Sequence, residues 1–110
     1  MPRVPPSEFD QIVERGLARI DPRFRKRMRN VVVVVEPEPP QPDLLGLYQS
    51  GGPYAMPDRI TIYQRPHERM ARSLRELESI VADTVWHEVA HFFGMNERQV
   101  ERAEKRRRIR

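Results

Sequence analysis

The sequence predicts an α+β domain in which a short mixed β-sheet packs against one long helix, with an N-terminal and a C-terminal helix beside them. Three observations carry that prediction. VVVVVE (Val31–Glu36) and RITIYQRP (Arg59–Pro66) read as strands, rich in β-branched residues. From about His67 to Phe93 apolar residues recur at three- and four-residue steps, the helical period. The chain has 110 residues and 13.1 kDa, enough for one core and too little for two. A single domain over residues 1–110 is therefore expected, with residues 1–6 flexible and about 105–110 forming a basic tail.

In chain order, residues 7 to 20 (SEFDQIVERGLARI) form the first expected helix. Ser7 is its N-cap candidate, with Asp10 at the capping-box position. Phe9, Ile12, Val13, Leu17 and Ile20 make the apolar stripe, and Asp21-Pro22 ends it. A second short helix is expected over Pro22 to Asn30, with Phe24 and Met28 turned inward. The run VVVVVE, apolar on both faces, reads as the central strand. EPEPPQPD then stops any ladder, since proline cannot donate to one. LLGLYQ (Leu44–Gln49) is a shorter strand, SGGPYAMPD a loop, and RITIYQRP a strand of alternating character. The long helix follows, with Met70, Leu74, Leu77, Val81, Val85, Val89 and Phe92 as its stripe. Gly94 suits the left-handed position that closes a helix, and Met95 can fold back onto it. Asn96 and Gln99 then form a capping pair for a last helix.

Composition narrows the chemistry. There are no cysteines, so disulfides and thiolate metal sites are excluded and any metal must sit on His, Asp or Glu. MPRVPPSEFD lacks the apolar region of a signal peptide, and VVVVV is too short to cross a bilayer. A cytoplasmic location without membrane contact is the expectation. The net charge is +4 and the pI about 10.1. Five basic residues lie between Arg23 and Arg29 and seven in the last thirteen residues. Clustered arginine suits phosphate, so nucleic acid is a second candidate partner, although no interleaved aromatics or nucleic-acid motif accompany it.

HEVAHFFGMNE (His87–Glu97) carries the chemistry. Residues four apart stand one above the other on a helix, roughly 6 Å apart, so His87 and His91 can converge on one metal ion. Glu88, one step round the helix, can reach a metal-bound water without being a ligand. In H-E-x-x-H sites zinc lowers the pKa of that water to about 7, and the glutamate takes its proton as it attacks a carbonyl. Two nitrogens half fill a tetrahedral site. If Gly94 reverses the chain, Glu97 can swing back as third ligand; a straight helix would carry it about 9 Å further along the axis.

HExxHxxGxxE is similar to the extended zincin signature HExxHxxGxxH/D. With EFDQIVERGLARI, NVVVVVE, LLGLYQ, PDRITIYQRP and TVWHEVAHFFGMNERQVE, the chain resembles the minimal zincin-like metallopeptidases of bacteria from about Phe9 to Glu101. The resemblance implies a zincin-like domain holding one zinc per chain on His87 and His91, with Glu88 as general base. The third ligand of that family is typically an aspartate where this chain has Glu97, one methylene longer. The implied function is hydrolysis of a peptide or protein substrate. No room remains after Gly94 for the second subdomain of larger zincins, so the substrate is expected to add as a strand to a sheet edge, with RITIYQRP as candidate.

The oxyanion of such a reaction needs a donor, for which Tyr48, Tyr54, Tyr63, His67 and Arg59 are available. Tyr54 is the choice, because its loop could act as a flap. Asp83, one turn before His87, could orient that imidazole, whereas Trp86 reads as a packing residue. Two alternatives stay open: a zinc-binding interaction module of low turnover, and a basic metal-dependent hydrolase associated with nucleic acid. Oligomeric state is also open, since an exposed strand edge in so small a domain can pair with a second copy.

Overall fold

The computed structural model of the chain describes residues 2–54, 56–96, 98–99, 101–103 and 105. The first helix, α1 (Pro6–Ala18), starts one residue earlier than the sequence suggests, at Pro6. Proline fits the first helical turn because its missing N–H has no partner there in any case. Pro5 is the N-cap and no side chain caps the helix, so Ser7 lies inside it instead of in front of it. Phe9, Ile12 and Val13 are buried as expected, and Leu17 packs against the core. The short α2 (Pro22–Arg25) starts at Asp21, whose carboxylate accepts from the Arg23 N–H at 2.9 Å.

Three strands follow: β1 (Val31–Glu36), β2 (Gly46–Gln49) and β3 (Asp58–Tyr63). They form a mixed sheet of order β1-β3-β2, with β1 parallel and β2 antiparallel to β3. The expected positions of β1 and β3 are thereby exchanged. The valine run lies at an edge, with Val32 42% exposed, while Ile60, Thr61, Ile62 and Tyr63 of β3 are buried on both faces. An unbroken β-branched run reports a preference for extended backbone, and burial on both faces is a separate property set by neighbours.

The single long helix expected from His67 to Phe93 is two helices, α3 (Gln64–Met70) and α4 (Leu74–Phe92). Ser73 supplies the break. Its hydroxyl accepts from the Glu76 N–H, and the Glu76 carboxylate accepts from the Arg72 N–H, so a capping pair starts α4 afresh. Met70 and Leu74 flank the break and are exposed, whereas Leu77, Val81, Val85 and Val89 are fully buried. α4 rests on β2 and β3 on one side and on α1 on another. The core fills the space between them, chiefly with Phe9, Ile12, Ile60, Ile62, Val81 and Val85.

The segment before α1, expected to be flexible, is fastened at Val4. Its N–H donates to Glu68 at 2.9 Å and its carbonyl accepts from the Gln64 side chain at 3.0 Å. Burial pushes the Glu68 carboxyl up, but hydrogen bonds from Val4, Arg65 and Gln64 more than offset that and hold it below the usual range. No helix among the described residues is long and apolar enough to cross a membrane.

Candidate metal centre

α4 presents the motif on its last two turns. The His87 and His91 rings stand 4.8 Å apart between centroids, nearly edge to face, on one side of the helix. Glu88 faces inward and is 7% exposed. It lines, with His87, Asp83 and Thr84, a cleft of about 460 Å³ whose opposite wall is the segment Asp43–Gly46 entering β2. Asp83 is thus brought to the same cleft as His87, as its position one turn earlier suggests.

The helix end that shapes the site has the expected geometry. Gly94 is left-handed, with φ of 77°. The Met95 N–H bonds the Ala90 carbonyl at 3.1 Å and the Gly94 N–H bonds that of His91 at 2.9 Å, the paired bonds of a Schellman closure. Asn96 and Gln99 then exchange two bonds, backbone N–H to side-chain oxygen in each direction, both 2.9 Å. The chain therefore turns at Gly94 and starts a new helix immediately, and residues 98–99, 101–103 and 105 are helical. Glu97, the expected third ligand, lies outside the described residues, as does the tail from residue 106. Among the described residues no group of three or more His, Cys, Asp or Glu side chains could hold a metal ion. His87 and His91 are the two imidazoles that this face of α4 brings together.

Other candidates are spread through the molecule. Tyr54 sits in the β2–β3 loop with 87% of its surface exposed. Tyr48 of β2 lies edge-on to Phe92 beside the motif, and its hydroxyl donates to Asp58 at 2.6 Å. That hydrogen bond, assisted by burial, pushes the phenol up to about 12. Asp58 is held correspondingly low, and it also accepts from the Gly51 N–H, so this pair fastens the β2–β3 loop. Tyr63 is core, and Arg59 is exposed, 4.0 Å from Glu36. His67 is fully buried between the Tyr63 carbonyl and the Thr84 hydroxyl, which makes it part of the scaffold. Trp86 is buried against Phe24, as a packing residue should be.

β3 cannot receive a substrate strand, because both of its edges are already paired. Among the described residues the unpaired edge beside the motif belongs to β2, and Gly46 is the reason β2 lies so close. A Cβ built there would stand 2.9 Å from Thr84 Cγ2 and 3.0 Å from Glu88 Cγ. The glycine inside LLGLYQ was the available signal, since glycine in a strand often marks a close approach.

The fold has a counterpart among solved structures. A conserved hypothetical protein from T. thermophilus is 26% identical and superposes with a TM-score of 0.60, over 80% of this chain and 92% of that one. No curated protein matches the chain. The family model described as zincin-like metallopeptidase matches residues 28–107, which span the sheet, the motif helix and the turn after it. The chain belongs to the zincin-like metallopeptidase family.

Proposed function

We propose that this protein is a zinc-dependent peptidase, with His87 and His91 as ligands, Glu97 as the third and Glu88 as general base. The observation that carries the reading is the pairing of two histidine rings 4.8 Å apart with a largely buried glutamate at the neighbouring position of the same helix. Zinc held there supplies a Lewis acid that polarises the scissile carbonyl and eases deprotonation of water. The chain's own residues do the rest. Glu88, screened from bulk water, takes the proton of the attacking water and returns it to the departing amine nitrogen. Asp83 orients His87, and Tyr54, exposed in the β2–β3 loop, is the hydroxyl assigned to the developing oxyanion. An extended peptide aligns along the outer edge of β2, where backbone hydrogen bonds hold it in register.

The test is metal content joined to turnover on peptide libraries. One zinc per chain is expected, lost in His91→Ala and weakened in Glu97→Ala. Glu88→Gln should keep the zinc and lose hydrolysis by about a hundredfold or more, the usual size of a general-base contribution. A protein that binds no zinc, or a Glu88→Gln variant that cleaves as well as the parent, overturns the reading.

A further inference from the structure

We infer that the cleft between α4 and the entry to β2 is a subsite for a basic side chain, lysine or arginine, of the substrate. The inference takes its occupant, a peptide side chain, from the peptidase reading. Two independent features of the cleft converge on it. Leu44, Leu45, Met70 and Ile80 line it with apolar surface, and Met70 is 55% exposed. The charged side chains that line it beside His87 are all acidic: Asp43, Asp83 and Glu88. The chain as a whole has 20 Lys and Arg against 16 Asp and Glu, so the sign of this cleft is opposite to that of the molecule.

An aliphatic stem ending in a cation is the side chain that uses both features at once. Lysine and arginine lay their methylenes on apolar surface while the charged head reaches polar groups at its rim. Here the stem has Leu44, Leu45 and Ile80, with Met70 as an adaptable neighbour. The head has Asp43, which is exposed, while Asp83, half-buried beside His87, adds its negative charge to the same wall. A metal ion is a poor occupant of the same acids, since no three described carboxylates or histidines gather closely enough to hold one. An acidic side chain is repelled, and an apolar one of the same length gains only the stem contacts. At about 460 Å³ the cleft admits a long side chain together with part of its backbone. It also opens onto Glu88, which places the bound residue next to the bond to be cut.

The test reads binding instead of turnover. Fluorescein-labelled Ala-Leu-Xaa-Leu-Ala peptides, with lysine, norleucine or glutamate at Xaa, are titrated by anisotropy into zinc-loaded protein carrying Glu88→Gln to block cleavage. The lysine peptide should bind several-fold tighter than norleucine, and glutamate should bind most weakly. High salt should shrink the lysine advantage, because the carboxylates are partly exposed. Asp43→Asn should cut that advantage about threefold, the size expected for a partly exposed ion pair, and leave norleucine binding and the melting temperature unchanged. Equal binding of lysine and norleucine overturns the subsite, as does an Asp43→Asn variant that weakens both alike, or the absence of binding by all three peptides. The peptidase reading is judged separately, by zinc content and by hydrolysis that depends on Glu88. A lysine preference in a protein that never cleaves would retain the subsite and remove the peptidase. Cleavage without a lysine preference would do the reverse.

Discussion

His67 has no solvent exposure and lies beneath α4 against the ring of Phe9, 5.9 Å between centroids. The Tyr63 carbonyl can only accept, so in the neutral ring the proton sits on Nδ1, and Nε2 faces the Thr84 hydroxyl at 2.8 Å. Burial lowers its tendency to charge, more than the Tyr63 carbonyl raises it. In the unfolded chain the same imidazole charges at about pH 6.5. The unfolded state is then the better proton binder, so stability falls as the pH drops below about 6.5 and levels off once the folded ring is itself protonated. In chelator, to remove any metal contribution, the stability lost between about pH 7.5 and about pH 5 should be smaller in His67→Gln than in the parent. Urea titrations at the two pH values measure this, and identical losses would assign the acid sensitivity to other groups. The three histidines differ in how legible they are in sequence. His87 and His91 announce themselves by spacing, one turn apart with a glutamate between. A lone histidine such as His67 has no spacing to read, and only the packing of α4 across it shows that it is a scaffold residue.

Elements were legible where their ends are written in local chemistry. The Schellman closure at Gly94 and the Asn96–Gln99 pair need only the residues that form them, and both stand where the sequence puts them. Ser73 and Glu76 form a pair of the same kind, but it is hidden inside a continuous helical period that also takes in Met70 and Leu74. The approach of β2 to α4 depends on residues nearly forty positions apart, so a strand pattern cannot disclose it. Gly46→Ala tests that approach. Its methyl would stand 2.9 Å from Thr84 Cγ2, with the Thr61 carbonyl 3.3 Å away on the other side, so neither strand nor helix can yield freely. A cost of about 1–3 kcal/mol is expected from the overpacking. Hydrolysis should fall with it, because Glu88 Cγ is the second atom in the way. Zinc content should persist, since the paired rings of His87 and His91 remain intact. Thermal melts and metal analysis of the one variant separate these effects, and an unchanged melt would mean that β2 stands further off.

At the scale of the molecule, the fold class and the mixed sheet were legible, and the order of strands was not. Sheet order depends on which strand α4 covers, and that is decided by contacts remote in sequence. A zinc ion held as proposed, on His87 and His91 of α4, would tie the end of the fold to its core, and zinc would then stabilise the folded state by mass action. At free zinc about a hundredfold above its dissociation constant the gain is about 2.7 kcal/mol, a rise in melting temperature on the order of 10 °C for a domain of this size. His91→Ala should melt at the same temperature with and without zinc, and a shift as large as the parent's would place the metal elsewhere. The packing of α1 on α4 also bears on how the protein is made. Arg15 and Glu78 meet across 63 positions, and the apolar stripe of α1 is covered by a helix that leaves the ribosome long after it. Throughout that interval Phe9, Ile12 and Val13 lack the cover that α4 gives them and are open to chaperones or to other nascent chains. The stretch that finally shields them is the one carrying His87 and His91, so during synthesis the completion of the core and the arrival of the two histidines proposed to hold zinc are a single event.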